Sequence, residues 1–350
     1  MEQKMKFGVL QFFSWPQRRN TLQTVYDRAM YRIEVMDKSG YDAVWLAEHH
    51  FTDYSVCPSV HIMGMHVAHK TTNLRIGTAV SLAAMYHPLR LAEEVALLDV
   101  LTEGRVNWGA GRGFDPVEFK TFGVPFPESK MRFREAVDIV LAAWQNERLT
   151  WKGEFWQFDD IEVLPKPHQD PHPPVWVAGG SADSVAWAGE QGYTVMLGPH
   201  AEFAQIAEHR NNFLKLLVEN GHSAENREIP MARLIAVAAT EREAEEIARQ
   251  GAKWIVATYK NESKGMANPV KTIEVDGKTL EVDPIDRYLE DSIIWGTPER
   301  VIDTLQRLEV EMHLDYLMCA PLSHSSFMMF TKKVMPHFLG SNSQDVRAAV

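Results

Sequence analysis

Along the chain, short apolar runs alternate with longer stretches in which apolar residues recur every three or four positions. Phe7 to Phe12 reads as a strand, and Thr21 to Lys38 as a helix with Val25, Ala29, Ile33 and Met36 on one face. Gly40 follows at the usual C-terminal stop. The same alternation predicts strands over 43–46, 74–80, 106–110, 175–178, 194–197, 232–238 and 316–320. Helices are predicted over 58–70, 88–101, 128–146, 182–191, 202–220, 241–257, 298–309 and 327–338. Repeated strand-then-helix units imply parallel strands joined by right-handed crossovers. Eight strands favour an α/β fold of the (β/α)8 TIM-barrel type over an open doubly wound sheet.

Two stretches break this rhythm. Residues 149–174 are rich in aromatics and prolines and read as an excursion over one barrel end. Residues 261–294 have mixed charge, several glycines and a hairpin-like TIEVDGKTLEV, where Asp276-Gly277 suits a tight turn. A long late insertion of this kind is a candidate lid or a disordered connection. The expected organisation is one barrel domain over 1–340 with insertions, then a frayed tail over 341–350.

The formal net charge is −11, which argues against a nucleic-acid or anionic-membrane partner because both need net positive surface. A phosphate is still allowed, since local arginines and amides can hold one. Cys57 and Cys319 are the only cysteines, too few and too distant for a disulfide scaffold or a zinc cluster. The N-terminal apolar run is too short for a signal sequence or a membrane span, so the expected location is cytoplasmic.

Barrel chemistry belongs at the C-terminal ends of the strands. That rule singles out Glu48, His49 and His50 after the second strand and Ser81 after the third. Next come Gly111-Arg112-Gly113, Gly179-Gly180-Ser181 and, after the sixth strand, His200. Glycines let backbone approach an anion, Ser181 opens a helix whose first amides attract phosphate, and Arg112 could add a bidentate contact. Ordinary strand-to-helix turns with a surface arginine would look the same. The tandem histidines could be a proton donor, metal ligands or satisfied loop groups; no HxH or HExxH pattern supports a metal, and none is expected. His61, His66 and His69 read as surface or interface histidines on a helix, and Met63, Met65, Met328 and Met329 as packing. Trp15, Phe51, Tyr54, Trp108 and Phe114 could line an apolar pocket or could simply be packed.

Taken together, the segments MKFGVLQFF, GYDAVWLAEHHFTD, LRIGTAVSLAAMYHPLRLAEEVALLDVLTEGRVNWGAGRG, VWVAGGSADSVAWAGEQG and WGTPERVIDTL resemble the bacterial luciferase family of flavin monooxygenases. The resemblance covers about residues 5–337 and is weakest over 255–295. It implies that His49 is the catalytic histidine near the reactive flavin edge. It also implies a non-prolyl cis peptide at Ala79-Val80 beneath the flavin ring, a phosphate-binding arginine at Arg112, and phosphate contacts from Gly179, Gly180 and Ser181. Glu118 matches an acidic residue near the flavin. The chain departs from luciferase in three places. Val80 and Gly111 stand where luciferase has an alanine and a reactive cysteine, and the phosphate loop lacks luciferase's glutamate and is one residue longer.

The cofactor so implied is FMN, reduced by a separate flavin reductase; no strand-following GxGxxG for a nicotinamide is evident. Dioxygen would add at flavin C4a and one oxygen would pass from the peroxyflavin to a small organic substrate. The family also implies a homodimer packed through helices 58–70 and 88–101. The rivals are an F420-dependent hydride-transfer enzyme on the same scaffold, a non-catalytic partner subunit, and a metal-dependent barrel hydrolase.

Overall fold

The structure, a computed structural model, describes residues 5–225, 227–259, 272–275 and 278–339. Eight strands carry the fold: β1 (Lys6–Gln11), β2 (Ala43–Leu46), β3 (Arg75–Thr78), β4 (Val106–Gly111), β5 (Val175–Gly179), β6 (Thr194–Leu197), β7 (Met231–Val237) and β8 (Tyr316–Pro321). Their ladder order runs β7-β8-β1-β2-β3-β4-β5-β6, and β6 meets β7 at Leu197 and Met231. The ring is therefore closed and parallel, the (β/α)8 TIM barrel expected from the strand count.

The chain divides into two compact units. The first comprises Leu10–Asp37 and Asp42–Ala178; the second comprises the described residues of Met1–Val9, Lys38–Tyr41 and Gly179–Val350.

In the first unit the strands are buried on both faces, as parallel barrel strands require. Trp45 of β2 lies opposite Gly77 of β3, where a Cβ would come within 2.2 Å of the indole. Only glycine fits beneath that ring, whose edge meets Trp176 of β5 at 5.0 Å. Outside the sheet, Ser59 caps the helix Val60–Lys70 by accepting Ile62 N–H, and Pro88 opens the helix Pro88–Leu101. Trp108, a candidate pocket residue, is fully buried against Trp144 of the helix Ser129–Gln145. A short strand, Ser81–Leu82, pairs with the end of β4. The proline-rich excursion contains an antiparallel hairpin, Leu149–Lys152 with Gln157–Ile161. Glu135 holds its turn by accepting the amides of Glu154, Phe155 and Trp156. Buried Asp99 takes both the amide and the side chain of Gln169.

In the second unit β8 pairs with β1 and β7, and an additional strand, Ile293–Gly296, runs beside the C-terminal half of β7. The expected terminal helix over 327–338 is instead a helix, His324–Met329, that widens into a π-helical turn and ends in a 3-10 turn around Pro336. Proline lacks the N–H that a continuing α-helix needs. The predicted hairpin forms between Thr272–Val275 and Lys278–Glu281, while its turn and residues 260–271 lie outside the described residues. A further helix, Pro284–Asp291, is capped by Asp283 and was not legible as a separate element. Among the described residues no helix is long and apolar enough to cross a membrane.

Candidate functional site

The loop after β2 is pinned to the continuation of β1. Ala47 N–H donates to Gln11 O, Val56 N–H to Phe13 O, and the buried Ser55 hydroxyl accepts Phe13 N–H at 3.1 Å. His49 N–H donates to Cys57 O. Phe51 sits at φ 57, a left-handed conformation rare for an aromatic residue, so the chain turns sharply just after the histidines. These constraints fix Glu48, His49 and His50 at the strand's C-terminal end.

Glu118 arrives from a helix that the apolar periodicity did not reveal, Pro116–Phe122. Asp115 caps it by accepting Val117 N–H, and Gly123 ends it at φ 72. The cap places Glu118 in the first turn, where it is 1% exposed. Its Oε1 accepts His50 N–H at 2.9 Å and lies 3.6 Å from His49 Nδ1. Its Oε2 is buried and has no hydrogen-bond partner among the described residues. The imidazole of His49 is walled by Phe12, Tyr54 and Phe114, with ring centroids 6.4, 5.0 and 5.7 Å away. Two of the proposed pocket aromatics therefore do surround a candidate catalytic side chain. Phe51 packs on Phe122 instead, and Trp15 donates to Asn20 O.

Glu48 anchors the other side of the cluster. Its Oε1 lies 3.0 Å from His50 Nε2 and accepts the Tyr86 hydroxyl at 3.0 Å, and its Oε2 accepts Leu82 N–H. Burial, reinforced by the charge of Glu48, pushes the Tyr86 phenol well above its ordinary range, so Tyr86 stays a donor. The same two causes push the Cys57 thiol up to about 12, which removes it as a nucleophile near neutrality. His50 is committed to Glu48; His49 is the histidine left available.

The bond Ala79-Val80 is a non-prolyl cis peptide. A Cβ on Gly111 would lie 2.3 Å from Val80 Cγ2, so glycine at 111 makes room for valine at 80. Arg112, just beyond β4, lies with its guanidinium 5.0 Å from the Phe126 ring, and only its Nε is engaged, at 3.4 Å from Gly113 O. Its terminal nitrogens have no acceptor among the described residues. An oxyanion of the phosphate class fits that unfilled fork.

Gly179, Gly180 and Ser181 belong to the second unit. Packing fixes Gly179, where a Cβ would meet Val195 at 2.4 Å, whereas Gly180 faces open space. The Ser181 hydroxyl is engaged in a capping box with Ser184 at the start of the helix Ala182–Gln191. The Ser181 amide is engaged as well, donating to Ser184 Oγ at 3.1 Å.

Tyr86 was not among the residues singled out by sequence. His61, expected at a surface or interface, is only 4% exposed, with both ring nitrogens bonded. Among the described residues no group of three or more His, Cys, Asp or Glu side chains could hold a metal.

A closed barrel with a histidine, two buried carboxylates and an open arginine fork beyond its strand ends defines a class of small-molecule barrel enzymes. Luciferase-like monooxygenases match residues 5–313, and the chain belongs to that family. The oxygenase component of the flavin-dependent trigonelline monooxygenase of Acinetobacter baylyi is 27% identical over 324 residues, covering 89% of this chain and 88% of that protein. A solved monooxygenase from Streptomyces bottropensis superposes with a TM-score of 0.82 at 25% identity, covering 95% of this chain and all of that one. An F420-dependent secondary alcohol dehydrogenase shares the fold, with a TM-score of 0.74 at 21% identity over 95% of this chain and 98% of that one.

Proposed function

We propose that this chain is the oxygenase of a two-component system. It takes reduced FMN from a separate flavin reductase and uses dioxygen to oxygenate a small organic substrate. The carrying observation is the unfilled fork of Arg112 beyond the same strand ends that hold His49. A relative that is itself an oxygenase component favours FMN over F420. When bound, reduced flavin supplies the activation of dioxygen and the oxygen atom that is transferred.

The chain's own residues do the rest. Arg112, with its terminal nitrogens unfilled, holds the phosphate. Ala79-Val80, with Val80 lying against Gly111, offers apolar surface to a ring. His49, held by Glu118 and its aromatic walls, keeps or moves a proton at Nε2. Buried Glu118 Oε2 is the acceptor left for a ligand N–H or O–H. Phe12, Tyr54 and Phe114 exclude water around the imidazole. The active species is a cytoplasmic homodimer formed through Val60–Lys70 and Pro88–Leu101. These helices leave Ile62, Met65, Leu97 and Leu101 exposed, apolar surface of the kind partners cover.

The test combines titration with FMN and F420, under reducing and oxidising conditions, with substrate screening by mass shift. His49→Ala is expected to retain flavin and lose roughly 100-fold or more of oxygen transfer, the usual worth of acid–base catalysis. Arg112→Ala is expected to weaken FMN affinity by about 1.5–3 kcal/mol. Tight F420 binding without FMN binding would replace oxygenation by hydride transfer.

A further inference from the structure

The segment 79–86, which carries the cis bond, is clamped twice. Glu48 holds it through Leu82 N–H and the Tyr86 hydroxyl. Independently, the Ser81 hydroxyl lies 3.0 Å from His61 Nε2, and His61 Nδ1 lies 3.0 Å from Glu94 Oε2. Arg90 Nε donates to the other oxygen of Glu94 at 2.6 Å. The His61 ring also packs edge-on against Tyr86 at 5.6 Å, so it touches both clamps.

The proton positions follow from the donor set. The hydrogen bond from His61, with help from Arg90, holds the Glu94 carboxyl down at about 2, so it is an anion that only accepts. His61 Nδ1 therefore donates to it. In the neutral imidazole Nε2 is then an acceptor, and the Ser81 hydroxyl donates to His61.

This Ser-His-Glu connectivity matches that of an acyl-transfer triad. The surroundings rule out that use. Ser81 is 0% exposed and its backbone is paired with Ala110 of β4, so no carbonyl can approach its oxygen. What remains is a mechanical role for a chain of bonds whose inner end, the buried Ser81–His61 contact, sits next to Val80. Val80 in turn is seated against the backbone of Gly111. A shift of Ser81 therefore moves the whole Val80–Gly111 surface.

We propose that Glu94 and His61 are positioning residues which, through Ser81, fix the Ala79-Val80 surface against which the flavin ring is seated. This rests on the flavin reading above. The test is titration with oxidised FMN and visible circular dichroism of the bound flavin. The proteins are the full-length wild type, Ser81→Ala, His61→Leu and the double variant, each with a thermal melt in the absence of flavin. Each single variant is expected to weaken FMN affinity about 10-fold, the size of one lost buried hydrogen bond, and to change the visible dichroism. The double variant is expected to be no weaker than His61→Leu, because the two residues act through one bond. The dichroism reports ring seating, which a lower melting temperature alone would not move. Should His61→Leu fail to fold, Ser81→Ala, which removes one oxygen, carries the test. Wild type that binds FMN with Ser81→Ala indistinguishable from it, or additive losses in the double variant, overturns the positioning role alone. Wild type that binds neither FMN nor F420 overturns the flavin reading and this role with it.

Discussion

Among the described residues the two compact units each enclose polar atoms that lack a hydrogen-bond partner, and the contrast shows when such an atom signals a ligand. In the first unit one such atom is Glu118 Oε2, on a loop-borne helix past the end of β4, beside a histidine still 11% exposed. In the second unit two such atoms are Nε and Nη2 of Arg233, the third residue of β7 and wholly enclosed. Arg233 donates from Nη1 to Ala201 O at 2.8 Å and stacks 4.4 Å from Phe203; burial pushes its guanidinium down to about 9. A strand-end orphan with open neighbours can meet a substrate, whereas a mid-strand one can only brace the fold. The exposed surfaces divide the same way. Among the described residues all the large exposed apolar side chains except Val218 and Val310 lie in the first unit.

The largest expected effect tests that division. Ile62 and Val310 are almost equally exposed, at 76% and 78%, on helices of different units. If the first unit carries the subunit interface, Ile62→Asp buries a charge in it and weakens dimerisation by roughly 100-fold or more. Val310→Asp leaves a solvated charge and changes nothing. Sedimentation or light scattering across a dilution series reads both. Equal behaviour of the two variants would sink the assignment of the dimer face to the first unit.

A smaller effect compares glycines. Gly111→Ala forces a methyl against Val80, whereas Gly180→Ala meets open space. Overpacking of this kind costs typically about 1–3 kcal/mol. Gly111→Ala should lower the melting temperature, and adding Val80→Ala should restore most of the loss. Gly180→Ala should leave stability unchanged. Failure of Val80→Ala to rescue would mean that the two residues do not share one space.

The barrel was legible because burial on both faces leaves uninterrupted apolar strand runs, and Gly40 and Pro88 mark helix boundaries. The positions of His49, Glu48 and Arg112 after strands followed from the same rhythm. Glu118's surroundings did not, since its helix is only Pro116–Phe122 and is defined by an Asp115 cap rather than by apolar spacing. Tyr86 and the bonding of His61 stayed hidden for a related reason. Their importance depends on Glu48 and Glu94, residues 38 and 33 positions away in sequence, and no local pattern encodes such pairings. The π-helical turn at Phe330–Val334 likewise reflects tertiary packing, with Phe7 meeting Phe330 and Phe338 at 5.7 and 5.8 Å.

The smallest effect concerns a titration that should register in stability rather than in ligand binding. His200, in the second unit, is pushed from its ordinary 6.5 down to about 4 by burial and then by the charge of Arg233. Its folded value is depressed, so the unfolded chain takes up a proton first. The neutral imidazole's contribution is complete above pH 6.5 and is lost as pH falls toward 4. Urea unfolding between pH 7 and pH 4 should show stability declining across that window. His200→Gln, which cannot titrate, should flatten part of the slope while leaving FMN affinity at pH 7 unaltered. A His200→Gln protein with an unchanged slope would show that the imidazole is not what senses pH there. One that lost FMN binding would show that His200 serves the ligand as well as the fold.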